Sequence, residues 1–101
     1  MNRNEREEKI IRSYQRDEMQ MILVFAQWCR NRDLDPEELY RRAYPQQEAN
    51  PALRQAVELT VPKNEAGDIA DETLLGVLSL FGNEDLAFAV TEEIDRRKKR
   101  G

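Results

Sequence analysis

Met21-Ile22-Leu23-Val24-Phe25-Ala26 is the stretch on which the fold turns. It lies between Asp17-Glu18-Met19-Gln20 and Gln27-Trp28-Cys29-Arg30-Asn31-Arg32. Six apolar residues alone would also suit a buried strand. Their polar, helix-forming flanks decide against it. Ile10, Ile11, Tyr14, Met21, Ile22, Phe25, Trp28 and Cys29 recur at helical spacings. A helix that is apolar on every side belongs at the centre of a domain. No Gly or Pro interrupts Asn4 to Arg32, which predicts one long N-terminal and central helix. A break near Ser13 to Asp17 is the competing reading, because Asp17 and Gln20 have the spacing of a capping box.

Downstream, the punctuation is that of a helical protein. Asp35 is a helix N-cap, Pro36 fits the first turn, and Glu37 and Glu38 suit the positive end of the dipole. Leu34 and Leu39 have the spacing of a hydrophobic staple. Pro45 closes this second helix. Asn50-Pro51 repeats the signal for a third, which carries Leu53, Ala56, Val57 and Val61 and stops before Pro62. Lys63 to Asp68 is a polar connector. A fourth helix is expected from about Ile69 to Phe81, with Leu74, Leu75, Val77, Leu78, Leu80 and Phe81 on a wide apolar face. Gly82 ends it in a left-handed cap and Asn83 starts a fifth, running to about Arg97. There is no strand signal and no internal repeat. The expected fold is all-α, a compact bundle of about five helices. Residues 1–101 are read as a single helical domain, with 96–101 a basic, disordered tail.

The chain contains no histidine and one cysteine among its 101 residues. Imidazole is the usual general base at neutral pH and the commonest metal ligand. Its absence excludes a Ser-His-Asp triad, a Cys-His dyad and every His-containing zinc or haem site. Cys29 alone makes neither a Cys₄ site nor an internal disulfide, and its apolar setting reads as a buried small hydrophobe. No Gly-rich phosphate loop is present. No enzymatic activity, cofactor or metal is therefore expected. The N-terminus is dense in Glu and Arg, and Met21 to Ala26 is too short for a signal core or a membrane span, so a cytoplasmic protein is expected.

The formal net charge of −4 conceals an asymmetry. Arg96-Arg97-Lys98-Lys99-Arg100 is a purely basic run, and the rest of the chain carries 11 basic and 20 acidic side chains. Residues 61–95 contain one basic and nine acidic groups. An acidic face repels phosphates, which disfavours a broad nucleic-acid footprint. The basic run alone could attract an anionic surface, but it has no interleaved aromatics. Its plainer role is to complement a helix C-terminus.

Arg30, Arg32, Arg41 and Arg42 form a second basic set. Asp33-Leu34-Asp35-Pro36-Glu37-Glu38-Leu39 resembles the start of a phage-repressor-type helix-turn-helix domain. The resemblance implies a small nucleic-acid-binding regulator using these arginines and the tail. The chain departs from the pattern at Tyr44-Pro45, which fills the turn without a glycine, and at Pro51, where a recognition helix would continue. A solvated arginine face pairing with Glu37, Glu38 or Glu48 is the favoured account.

Glu65, Asp68, Asp71 and Glu72 cluster without the ligand spacing of a calcium loop, and acidic residues at a helix start are what the dipole favours. Phe25, Trp28, Tyr40 and Tyr44, with Met19 and Met21, are expected in the core or at its edge. The expected function is a non-enzymatic role through protein contacts. The first partner expected is a second copy. About 29 helical residues would span roughly 43 Å, more than a compact domain of roughly 13 Å radius of gyration covers. Ile10, Ile11 and Tyr14 would project as a narrow apolar seam between Glu7, Glu8, Lys9 and Arg12, suited to two-fold pairing.

Overall fold

The computed structural model describes the backbone of residues 18–100 and the side chains of residues 18–98. Among these residues every regular element is a helix. Helix α1 covers 18–31, α2 is Pro36–Ala43, α3 is Pro51–Leu59, α4 is the single turn Lys63–Ala66, α5 is Asp71–Leu80 and α6 is Glu84–Arg100. The all-α bundle expected from the sequence is the fold observed. The segment before residue 18 lies outside the described residues. So does the choice between one long N-terminal helix and two.

The apolar run of α1 sits at the centre. Phe25, Ala26, Trp28 and Cys29 are essentially inaccessible, Met21 and Ile22 are buried, and Leu23 and Val24 pack against the same cluster. The cluster is closed by Leu39 of α2, Leu53 and Ala56 of α3, Leu74 and Leu78 of α5, and Leu86, Val90 and Ile94 of α6. Helix α6 packs against both α2 and α5, and α2 packs against α3.

The ends of α1 and α5 use one device. After α1, Leu34 N–H donates to Cys29 O at 2.9 Å and Asp33 N–H donates to Arg30 O at 3.2 Å. After α5, Asn83 N–H donates to Leu78 O at 2.9 Å and Gly82 N–H donates to Ser79 O at 3.0 Å. This is the Schellman pattern, in which the first of the two donor residues along the chain takes a left-handed conformation. Gly82 supplies it at φ 73°, as its sequence position implied, and Asp33 supplies it at φ 56°. Asp is among the few non-glycine residues that accept this region. The start of α2 is also as expected: Asp35 Oδ1 accepts from Glu37 N at 3.0 Å and Glu38 N at 3.4 Å. Asn50 does the same for α3, accepting from Ala52 N at 2.9 Å.

Four expectations need correction. The connector after Pro62 contains a helical turn, α4, which buries none of its residues. Val61 lies beyond α3 and is exposed. Leu80 is 82% exposed and Phe81 37% exposed, so the buried face of α5 is narrower than the run of apolar residues implied. Leu74 and Leu78, one turn apart, carry it. Finally, α6 continues past Arg97, where its end was expected, to Arg100. Cations in a last helical turn face the negative end of the dipole, which favours this extension.

Candidate functional site

The basic residues singled out in the sequence are distributed over different surroundings. Arg32 is the most enclosed, with a side chain only 16% exposed. Its guanidinium lies 4.5 Å from the centre of the Trp28 ring. Its Nη2 sits 3.0 Å from Asp71 Oδ1 and 3.6 Å from Asp68 Oδ1, and donates to Ile69 O at 2.9 Å. The Trp28 Nε1–H donates to the same Asp71 oxygen at 3.0 Å. Arg97 Nη1 donates to Arg32 O at 2.8 Å. Arg32 is thus a tie between the end of α1 and the start of α5. A planar, forked cation suits stacking and several acceptors at once.

Arg42 of α2 and Arg96 of α6 converge on Glu93. Arg42 Nη1 lies 3.1 Å and Arg96 Nη1 3.6 Å from Glu93 Oε2, and Glu92 lies 3.9 Å from Arg42. Glu93 is buried, and a buried carboxylate needs such partners. Arg42 therefore pairs across to α6, not with Glu37, Glu38 or Glu48 as expected. Arg54 is the residue that meets Glu37, at 3.9 Å. Arg30 is exposed and donates to Thr60 Oγ1 at 3.2 Å. Arg41 and Lys98 are exposed. Arg42 and Arg96 thus meet at Glu93 of α6 and Arg97 reaches the Arg32 backbone, while the Arg32 side chain turns to the start of α5, Arg30 reaches towards α3 and Arg41 lines a different cavity. The side chains of Lys99 and Arg100 lie outside the described residues, as do Ile10, Ile11 and Tyr14. The link between α2 and α3 occupies residues 44–50. That is longer than the three- to four-residue turn of a DNA-binding helix pair.

Arg41 borders a cavity of about 70 Å³ between α2, the 44–50 link and α3, with Glu37, Tyr40, Tyr44, Gln47 and Leu53 among its other walls. Its volume is on the scale of two water molecules at roughly 30 Å³ each. The Tyr40 and Tyr44 rings are 5.0 Å apart and tilted by 53°. Tyr40 Oη donates to Gln47 Oε1 at 3.0 Å and accepts from Asn50 Nδ2 at 3.3 Å. Tyr44 Oη donates to Asn83 Oδ1 at 3.0 Å, and Asn83 Nδ2 meets Met21 Sδ at 3.0 Å. Asn83, expected as a cap, turns its side chain to Tyr44 and Met21 and fastens α2 to α1. Burial, and then the Asp85 carboxylate, push the Tyr44 hydroxyl above its ordinary range. Burial raises the Cys29 thiol much further, against a smaller lowering by Arg32. A thiol held protonated is a poor nucleophile.

Of the acidic cluster, Asp68 and Asp71 turn towards Arg32, while Glu65 and Glu72 are exposed. Among the described residues, no three acidic or cysteine side chains converge as a metal site would require. No helix among them is long and apolar enough to cross a membrane.

Two features escaped the sequence. Phe88 is 67% exposed. It lies in a shallow groove between α2 and α6 with Ala43, Ala89, Arg42, Asp85 and Glu92. Leu86, Val90 and Ile94 recur every fourth residue, which puts Phe88 on the outer face of α6, but no spacing rule joins it to Ala43 and Arg42 of α2. The other is a pair of amides, Gln27 and Asn31, one turn apart on the central helix. Gln27 Nε2 donates to Val61 O at 2.9 Å, and Gln27 Oε1 accepts from Val61 N at 3.0 Å. Asn31 accepts from Gln27 at 2.9 Å and donates to Gly67 O at 3.0 Å. Two amides at i and i+4 inside an apolar run were the available signal.

These features define a small helical protein whose polar groups chiefly fasten one helix to another. The YxiS family profile matches residues 2–95, and the chain belongs to the YxiS family. It is similar to a protein of Bacillus subtilis (strain 168) named "Uncharacterized protein YxiS". The two are 54% identical over 94 residues, covering 92% of this chain and 98% of the relative. No solved structure matches the chain.

Proposed function

We propose that the protein is a non-enzymatic cytoplasmic module that acts through protein contacts, the first of them with a second copy of itself. The observation that carries this is Phe88, a large aromatic side chain 67% exposed in the groove between α2 and α6. Small residues, Ala43 and Ala89, stand beside it, and Arg42, Asp85 and Glu92 complete the lining. An aromatic anchor with a charged rim is the anatomy of a protein interface. The Ile10, Ile11 and Tyr14 seam supplies the self-association half of the proposal from the sequence alone. The arginines lend less support to a nucleic-acid role, since Arg32 and Arg42 face carboxylates.

Light scattering at high micromolar concentration tests the self-association. Twice the monomer mass of 11.9 kDa is expected for the wild type, and the single mass for an Ile10→Asp, Ile11→Asp variant. A wild-type monomer removes that half of the proposal. A photoreactive phenylalanine analogue at position 88, introduced in cells, tests the rest. A discrete protein adduct, absent when the analogue is at position 54, is expected. A nucleic-acid adduct, or none, refutes it.

A further inference from the structure

Residues 61–68 run along α1 in an unusual way. All eight are exposed, and α4, within them, buries no side chain. The backbone bonds there are local: Glu65 N–H and Ala66 N–H both donate to Pro62 O, at 2.9 and 3.2 Å. Among the described residues, no backbone–backbone hydrogen bond joins this segment to another element. Side chains of α1 hold it instead. Gln27 takes both the N–H and the C=O of Val61, Asn31 takes Gly67 O, and Arg32 approaches Asp68.

We infer that residues 61–68 form a strap that opens from α1 as a unit while the helical core stays folded, uncovering the Gln27 and Asn31 side-chain amides. The free energy of local opening follows what is lost on opening. Here little apolar surface is lost, and the bonds broken are replaced by bonds to water. The ends of the strap are well placed to be hinges. Pro62 begins it. Gly67 near its other end has φ 75° and ψ 166°, a region essentially closed to any residue but glycine. Beyond Gly67 the chain is anchored again: Ile69 packs against the core, and Asp71 holds Trp28 and Arg32. Opening therefore stops at the start of α5.

Lys63 makes the strap measurable, because it is the only lysine between Lys9 and Lys98. Cleavage of the intact chain by a lysine-specific endoprotease, followed at the 63–64 bond by mass spectrometry, reports opening. The expected rate is flat in urea below the unfolding transition, since local opening exposes little surface. Leu78→Ala, a core change remote from the strap, should leave that rate within about twofold, as for uncoupled sites. Gly67→Ala should raise it roughly ten- to a hundred-fold, the shift expected from strain at a glycine-only conformation. The inference is overturned if wild-type cleavage climbs with urea in step with global unfolding, or if Gly67→Ala leaves the rate unchanged. The urea series on the wild type decides the matter even where Leu78→Ala fails to fold.

Discussion

The two sides of α1 are built from different materials. Towards α2, α5 and α6 it presents Phe25, Trp28 and Cys29, each essentially inaccessible and close-packed. Towards residues 61–68 it presents Gln27 and Asn31, whose amides reach an exposed backbone. Close packing makes a contact dependent on shape over its whole area. An amide pairing with exposed backbone loses little when water replaces it. One helix thus carries a contact that fails only with the whole fold and another that can fail alone.

The largest effect should follow from cutting into the packed side. Phe25→Ala is expected to cost about 3–5 kcal/mol, the range for a fully buried aromatic, read from urea or thermal unfolding. A loss below about 1 kcal/mol would mean that the centre is loosely packed and that the contrast is overstated. Arg32 stands where the two materials meet. Arg32→Ala removes the stack on Trp28 and the contacts to Asp71 and Ile69 O, and should cost about 1.5–3 kcal/mol. Trp28 is the sole tryptophan, so its emission should shift to the red in the same variant. Arg32→Lys keeps the charge without the planar fork and should recover only part of the loss.

What the sequence disclosed follows the same division. The packed side was legible because apolar spacing and caps are local signals. Met21 to Ala26 announced a central helix, and Asp35-Pro36, Asn50-Pro51 and Gly82 marked the starts and the stop where they are observed. Polar contacts between distant residues were not legible. Gln27 and Val61 are 34 positions apart, and Arg32 and Arg97 are 65 apart. No spacing rule joins such pairs. The apolar run at Val77 to Phe81 misled for the opposite reason. Helix α5 ends at Leu80, so the last of its apolar residues have no neighbour on which to close. Of the candidate site, the arginines were visible as a charge cluster, but their carboxylate partners, which decide what each arginine does, were not.

Smaller effects sharpen the contrast. Asp35→Ala removes the cap of α2 and should cost about 1 kcal/mol, with Asp35→Asn retaining most of the stability. Near-equal losses for the two variants would mean that charge, not the cap bond, is what matters there. An alkaline titration addresses Cys29. Folding raises the pKa of its thiol above 9.0, so the folded chain holds this proton more tightly than the unfolded one. Above that pH the unfolded state gains by ionising first, and stability falls as pH rises. Cys29→Ala should flatten the fall that begins near pH 9, leaving the later contribution of Tyr44. An unchanged slope would show that the thiol ionises in the folded protein. A comparably small global effect is expected from Gln27→Ala, about 1 kcal/mol by denaturation, because the Val61 groups it releases are exposed to water and only the buried Asn31 Oδ1 loses a donor.

Native-state hydrogen exchange on the intact chain, resolved by residue, compares both sides of α1 in one experiment. The amides of Phe25 to Cys29, Leu78 and Val90 should exchange only through global unfolding, with opening free energies that fall steeply in urea. That of Val61, whose bond to Gln27 Oε1 is the one the strap breaks on leaving α1, should exchange through a smaller opening that urea leaves unchanged. If all these amides share one free energy and one urea dependence, the two sides of α1 form a single cooperative unit and the division drawn between them is wrong.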